Sequence, residues 1–137
     1  MSTTVIVLIL AIIFVYVSGL TFSGQPIDRV KRIAEAIAKA EGFYAGDTLP
    51  FRNNNPGSLR IHGETSTISY FPTQDEGWQA LYRQINLILD GRSNFYSPGM
   101  SVEQLAFVWT GNDRPDSWTT TVARELGVDR NTPIISV

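Results

Sequence analysis

The sequence contains no cysteine and a single histidine, His62. A disulfide framework and a thiolate nucleophile are therefore excluded, and so is a metal site built from several histidines. Net charge is also scarce. Eleven basic residues stand against thirteen acidic ones, which leaves −2. A chain so balanced has no field for gathering nucleic acid, and no nucleic-acid partner is expected. The most informative absence is local: no charged side chain precedes Asp28. The near-zero mean hydropathy thus averages an apolar leader with an ordinary globular sequence. The latter has room for one domain of roughly 110 residues.

The leader carries the unbroken apolar run VIVLILAIIFVYV from Val5 to Val17, and Ser18 to Phe22 extend the uncharged stretch. Eighteen residues at ~1.5 Å rise reach about 27 Å, close to a hydrocarbon core of ~30 Å. Residues 1–24 are read as a transmembrane anchor and linker, with residues 3–22 in the lipid of a single-pass membrane protein. A cleaved signal peptide is the main alternative, and a buried core helix is a third, against which the lack of a polar face argues. Val17, Ser18 and Gly19 offer small residues near a cleavage point, but no basic n-region precedes the run. Arg29, Lys31 and Arg32 follow it, so the positive-inside rule places the following domain on the cytoplasmic side.

Residues 25–137 read as one mainly α domain with a small β element. Pro26 suits the start of a helix, and Ile27, Val30, Ile33, Ala34 and Ile37 recur at helical spacing up to Glu41. Gly42 is its stop. Residues 42–58 look like loop, rich in Gly, Asn and Pro. Leu59 to Phe71 has β-type residues around His62-Gly63-Glu64, which predicts a hairpin or irregular β segment. Thr73 and Glu76 form a capping box ahead of a helix with Trp78, Leu81, Ile85 and Ile88 on one face, ended by Gly91. Ser101 and Gln104 repeat the box before Leu105, Val108 and Trp109. Asp113 and Pro115 open a last helix, with Trp118, Val122 and Leu126 four apart and Gly127 beyond.

Glu41 is out of place. It lies four residues after Ile37 and seven after Ala34, on the apolar stripe in the last turn of its helix. Glu35 makes the contrast, being four from both Lys31 and Lys39, as a solvent-face ion-pair residue would be. Burial and the negative end of the helix dipole should both raise the pKa of Glu41. A carboxyl kept protonated near neutral pH suits general-acid work. The asparagine-rich loop follows, and Phe43, Tyr44, Tyr70, Phe71 and Trp109 offer rings that can either stack on sugar faces or fill the core.

The runs AIAKAEGF (36–43), RNNNPGSLR (52–60), FPTQDEGWQAL (71–81), WTGNDRPDSW (109–118) and LGVDRNTP (126–133) together resemble the phage and prophage lysozyme-like proteins of the muramidase and lytic transglycosylase superfamily. The resemblance covers about residues 27–135. It implies a lysozyme-like α+β fold acting on peptidoglycan, with Glu41 as the catalytic acid. Asn54, Asn55 and Arg60 would shape the cleft, and Tyr70 and Trp109 would help to bind substrate. Ser58 stands where the family commonly has asparagine, and Trp109 where tyrosine is usual. No cofactor or metal is implied.

Hydrolysis of the bond between N-acetylmuramic acid and N-acetylglucosamine would require a second carboxylate. Asp47 is nearest in sequence, although it also reads as a turn former. Asp113 reads better as a helix cap. A lytic transglycosylase needs no second carboxylate, because the muramyl 6-hydroxyl attacks instead. The expectation is therefore a membrane-anchored phage lytic transglycosylase, placed in a virion membrane or the host envelope. The alternatives are a hydrolytic muramidase assisted by Asp47, a non-catalytic glycan-binding virion protein, and a membrane protein whose helical domain binds a protein partner. Arg52 and Arg60 could pair with carboxylates or with peptide-stem groups of a substrate.

Overall fold

The computed structural model describes residues 26–61 and 67–137. Five helices follow one another among them: α1 (Ile27–Ala40), α2 (Leu49–Arg52), α3 (Gln74–Leu89), α4 (Val102–Trp109) and α5 (Pro115–Leu126), with a closing 3₁₀ turn at Ile134–Ser136. The domain is mainly α, and no strand is present among the described residues. The apolar run 5–17 and His62 lie outside them. Among the described residues no helix is long and apolar enough to cross a membrane.

Helix α1 follows the apolar spacing and buries Val30, Ile33, Ala34, Ala36, Ile37 and Ala38. It packs on α3 and α5, and α4 packs on α5. The core between them holds Leu81, Ile85, Leu105, Trp118, Val122 and Leu126, all at most 5% exposed. Both expected capping boxes form. The Thr73 hydroxyl accepts from Glu76 N at 3.2 Å while Glu76 Oε2 accepts from Thr73 N at 3.1 Å. Ser101 and Gln104 reciprocate at 3.1 and 2.9 Å. Ile134 tucks into the core at 1% exposure, and the Arg29 guanidinium holds its carbonyl and that of Ile135.

Three sequence expectations need correction. The stretch 42–58 contains the one-turn helix α2, which Pro50 favours by presetting φ in its first turn. Among the described residues the β element forms no strand and shows one antiparallel bridge, between Arg60 and Ile68, flanked by Ile61 N→Thr67 O at 3.0 Å and Ser69 N→Leu59 O at 2.8 Å. A side chain holds its open end. Fully buried Asn55 donates to Leu59 O at 2.8 Å and Ser69 O at 2.9 Å, and accepts from Leu59 N at 2.9 Å. Finally, Asp113 does not cap α5. The cap position belongs to Arg114, which is left-handed at φ 50°.

The asparagine loop is fixed to α3 by a glycine. A Cβ on Gly77 would lie 1.7 Å from the Asn54 carbonyl oxygen and 3.1 Å from Pro56 Cδ. No other residue permits so close an approach. Asn54 is itself left-handed at φ 51°, and its side-chain amide donates to Phe71 O at 2.9 Å. Phe71 N returns to Asn53 O at 3.0 Å.

Candidate active site

Helix α1 ends in a Schellman motif. Gly42, at φ 79°, donates to Lys39 O at 3.1 Å, and Phe43 N reaches back to Ala38 O at 3.0 Å. Glu41 is the C-cap residue, still right-handed at φ −75°. The chain turns away just past it, so its side chain stays on the apolar stripe and meets α5. There Trp118 Nε1–H donates to Glu41 Oε1 at 2.9 Å, and the Ser58 side chain hydrogen-bonds the same carboxyl group. Ser58 is held left-handed at φ 48°, a conformation that costs a non-glycine residue ~1–2 kcal/mol.

These contacts oppose one another in their effect on ionisation. Removal from water pushes the Glu41 pKa above its ordinary value. The hydrogen bonds from Ser58 and Trp118, then the charges of Arg114 and Arg60, pull it back without cancelling the rise. Replacing Trp118 by phenylalanine should keep the ring packing and delete one stabiliser of the charged form. The Glu41 titration midpoint, followed by carboxyl-carbon NMR, should then move further up. A downward shift would contradict burial as the dominant influence.

Around the carboxyl group lies a cleft of about 140 Å³, whose lining includes Ser58, Arg60, Trp109, Asp113, Arg114 and Trp118. Trp109 Nε1–H donates to Gly57 O at 3.0 Å, which ties the end of α4 to the asparagine loop. Its ring lies 6.0 Å from that of Trp118 and 5.4 Å from that of Tyr96. Burial pushes the Tyr96 hydroxyl up to about 12, with Arg60 opposing and Glu41 adding to the rise. The lining therefore combines the indole rings of Trp109 and Trp118 with two guanidinium groups.

Of the residues singled out in the sequence, Glu41, Arg60 and Trp109 share this cleft. Asn54 and Asn55 lie outside its lining and spend their amides on backbone carbonyls. Tyr70 is 66% exposed and also outside the lining. Asp47 stands on an exposed loop beside Arg52, 3.4 Å from its Nη1. The carboxylate in the cleft besides Glu41 is that of Asp113, 3.6 Å from Arg114 Nε, with both side chains largely exposed. The expected Glu35–Lys39 pairing gives way to other partners: Glu35 accepts from Tyr44 at 2.6 Å, and Lys39 pairs with Glu125 at 2.5 Å. Phe43 is buried and edge-on to Trp78, in a separate aromatic cluster with Tyr44 and Phe51.

Ser58, Tyr96, Arg114 and Trp118 were not legible as site residues. Trp118 carried one signal, since a tryptophan on a core stripe needs an acceptor for its N–H. A misplaced Glu41 supplies that acceptor. Among the described residues no three His, Cys, Asp or Glu side chains gather as a metal site would require. A scan against protein-family models finds no match, and searches of curated proteins and of solved structures find none either. The chemistry available to the cleft is that of its own groups: one carboxyl whose pKa burial raises, aromatic faces, and two guanidinium groups.

Proposed function

We propose that the domain cleaves the glycosidic bond between N-acetylmuramic acid and N-acetylglucosamine in peptidoglycan, as a lytic transglycosylase with Glu41 as acid and then base. The observation that carries this reading is the setting of Glu41. Its carboxyl is held by Trp118 and raised in pKa by burial, at the edge of a cleft with aromatic faces. A proton donor of this kind is what departure of a sugar oxygen needs. The resemblance of the five sequence runs to lysozyme-like proteins supports the same reading. So does the apolar run 5–17, which would hold the domain at a phage virion membrane or the host envelope.

In the proposed reaction Glu41 gives its proton to the glycosidic oxygen as the bond to the muramyl C1 breaks. The muramyl 6-hydroxyl then attacks C1 and returns its proton to the Glu41 carboxylate. A 1,6-anhydro ring forms, no water is consumed, and the enzyme ends as it began. Trp118 and Ser58 hold the carboxyl in place through both steps. Burial favours its protonated state for the first, and the arginines temper the charged state that follows.

The geometry favours one change in the hydrolytic alternative. Its second carboxylate would be Asp113, which lines the cleft, rather than Asp47, which does not. Mass spectrometry of muropeptides released from purified sacculi separates the two mechanisms. Anhydromuramyl ends, one water lighter than reducing ends, are expected. Reducing muramic acid ends would assign the hydrolytic reaction instead, and a full chain that binds sacculi without releasing fragments would leave a glycan-binding protein.

A further inference from the structure

We infer that the aromatic row formed by Tyr44, Trp78 and Tyr82 is a second glycan-binding surface, which holds a peptidoglycan strand outside the cleft. The inference takes its class of ligand from the glycosidase reading above, but none of its residues. None of the three lines the cleft around Glu41. Trp78 and Tyr82 are four apart on α3, with Asp75 in the first turn one turn before Trp78. Tyr44 joins them from the turn that follows α1. The Tyr44 and Trp78 rings lie 6.4 Å apart at 35°, and those of Trp78 and Tyr82 lie 5.9 Å apart at 34°. Buried Phe43 stands nearly perpendicular to Tyr44 and to Trp78, at 5.3 and 5.6 Å, and fixes the row from the core side.

The row is only half given to the core. Among the described residues Tyr44 is 55% exposed, and Phe51, against the other side of Phe43's cluster, is 43% exposed. Trp78 and Tyr82 pack on the core and keep part of their surface open. Rings left in water as a group, rather than singly, mark a contact surface.

The spacing of the rings selects the ligand. A group sandwiched between two near-parallel rings needs about twice the ~3.5–4.0 Å contact distance of carbon atoms. These rings stand closer than that, so they form no cage around an ammonium group. A ligand must lie across them, as the apolar face of a pyranose lies on an aromatic ring. Successive rings are about one pyranose apart, so neighbouring sugars of a strand can rest on neighbouring rings. Polar groups beside the row suit the hydroxyls of a stacked sugar. Tyr44 donates its hydroxyl to Glu35 at 2.6 Å, and the Glu35 carboxylate has further lone pairs for a sugar hydroxyl. Burial, then Glu35, pushes the Tyr44 pKa up, and burial, Glu35 and Asp75 do the same at Tyr82. Both phenols therefore stay neutral at physiological pH. The charges that act on them are carboxylates, which disfavours a phosphate-rich partner such as nucleic acid or an anionic lipid surface.

Two sites on one polymer raise avidity without any new contact in the cleft, so the row should matter for sacculi and not for short soluble glycans. The full chain in detergent micelles tests this, with Glu41→Gln added in the binding arm to stop turnover. Co-sedimentation with purified sacculi reads the affinity. Tyr44→Ala removes an exposed ring, and Trp78→Leu keeps an apolar side chain on the core while deleting the flat face. Each should weaken sacculus binding roughly three- to tenfold. Tyr44→Phe keeps the ring, loses only the Glu35 contact, and should bind nearly as the parent does. Neutral N-acetylglucosamine oligomers should compete with sacculi, and free peptide stems should not. With Glu41 in place, Tyr44→Ala should slow cleavage of sacculi and leave cleavage of a short soluble muramyl glycan unchanged. Binding weakened by neither Tyr44→Ala nor Trp78→Leu would overturn the glycan surface, as would competition by the stems instead of the sugar oligomers. Equal loss of cleavage on both substrates would assign Tyr44 a structural role and overturn it too. The glycosidase reading fails separately: a parent chain that binds sacculi through the row but releases no muropeptides keeps this surface and loses that reading.

Discussion

Glu41→Gln should abolish cleavage of peptidoglycan, by roughly the 10²–10⁴-fold that a positioned proton donor contributes, while the domain stays folded. Glutamine matches glutamate in size, and its carbonyl can still accept from Trp118 Nε1, but it has no proton to give. The same substitution should raise stability at neutral pH. Burial lifts the folded pKa of Glu41 above that of the unfolded chain, so this group's contribution is full below the unfolded value, near pH 4.5. It is lost as pH rises through the folded value. Glutamine does not ionise and avoids that loss. The check is paired: release of muropeptides by chromatography, and thermal unfolding at pH 4 and pH 8. A variant less active but also less stable at pH 8 would point to a structural role instead.

Gly77→Ala should unfold or severely weaken the domain, by about 3 kcal/mol or more. The direction is opposite to the usual one, because alanine stabilises most helix interiors over glycine by about 1 kcal/mol. Here the added methyl would stand 1.7 Å from the Asn54 carbonyl oxygen. That atom is backbone and cannot rotate aside. Asn53, Asn54 and Asn55 are bonded to Phe71, Leu59 and Ser69, and Gly57 in the same loop receives Trp109. Moving the loop off α3 therefore strains the support of Ser58 and Arg60 as well. Urea unfolding reads the effect directly. Gly99→Ala is the control, since its Cβ would meet only Ser97 Oγ at 3.7 Å, and it should change stability little. A Gly77→Ala protein as stable as the parent would mean that the loop does not depend on this approach.

Much of the helical frame was legible because it follows local rules. The apolar spacing of Ile27 to Ile37 places α1, and two capping boxes locate the starts of α3 and α4. Gly42 and Gly127 end α1 and α5 at positive φ. The short helix α2 was hidden in a run of loop-forming residues, where one proline does not distinguish a helical turn from a bend. The β element was overestimated for a similar reason. Its residue types favour extended chain, but Asn55 occupies the carbonyls at the end of the pair, and no strand is present among the described residues to extend it.

The site was legible only at its centre. Glu41 stands out because a carboxylate on an apolar stripe conflicts with the pattern around it. Its partners conform to their own patterns and give no such signal. Trp118 is an ordinary apolar residue on a helix face, Ser58 an ordinary turn residue, and Arg114 an ordinary charge before a proline. Asn54 and Asn55 misled in the other direction, since a polar loop beside a candidate acid suggests ligand contacts. Their amides are instead consumed by the backbone they hold in place.

The sequence by itself determined the apolar leader, the order and main limits of four helices, and the one carboxylate that breaks its pattern. All of these depend on contacts within a few residues along the chain, through helical period, capping and composition. Only the tertiary structure decided what surrounds that carboxylate. Trp118 lies 77 residues from Glu41, and the pairing follows from α1 packing on α5. The same packing partly buries Glu41, and that burial, more than any neighbour in sequence, raises its pKa. That Asp113 lines the cleft and Asp47 does not likewise follows from the path of the turn between α4 and α5, which no local rule specifies.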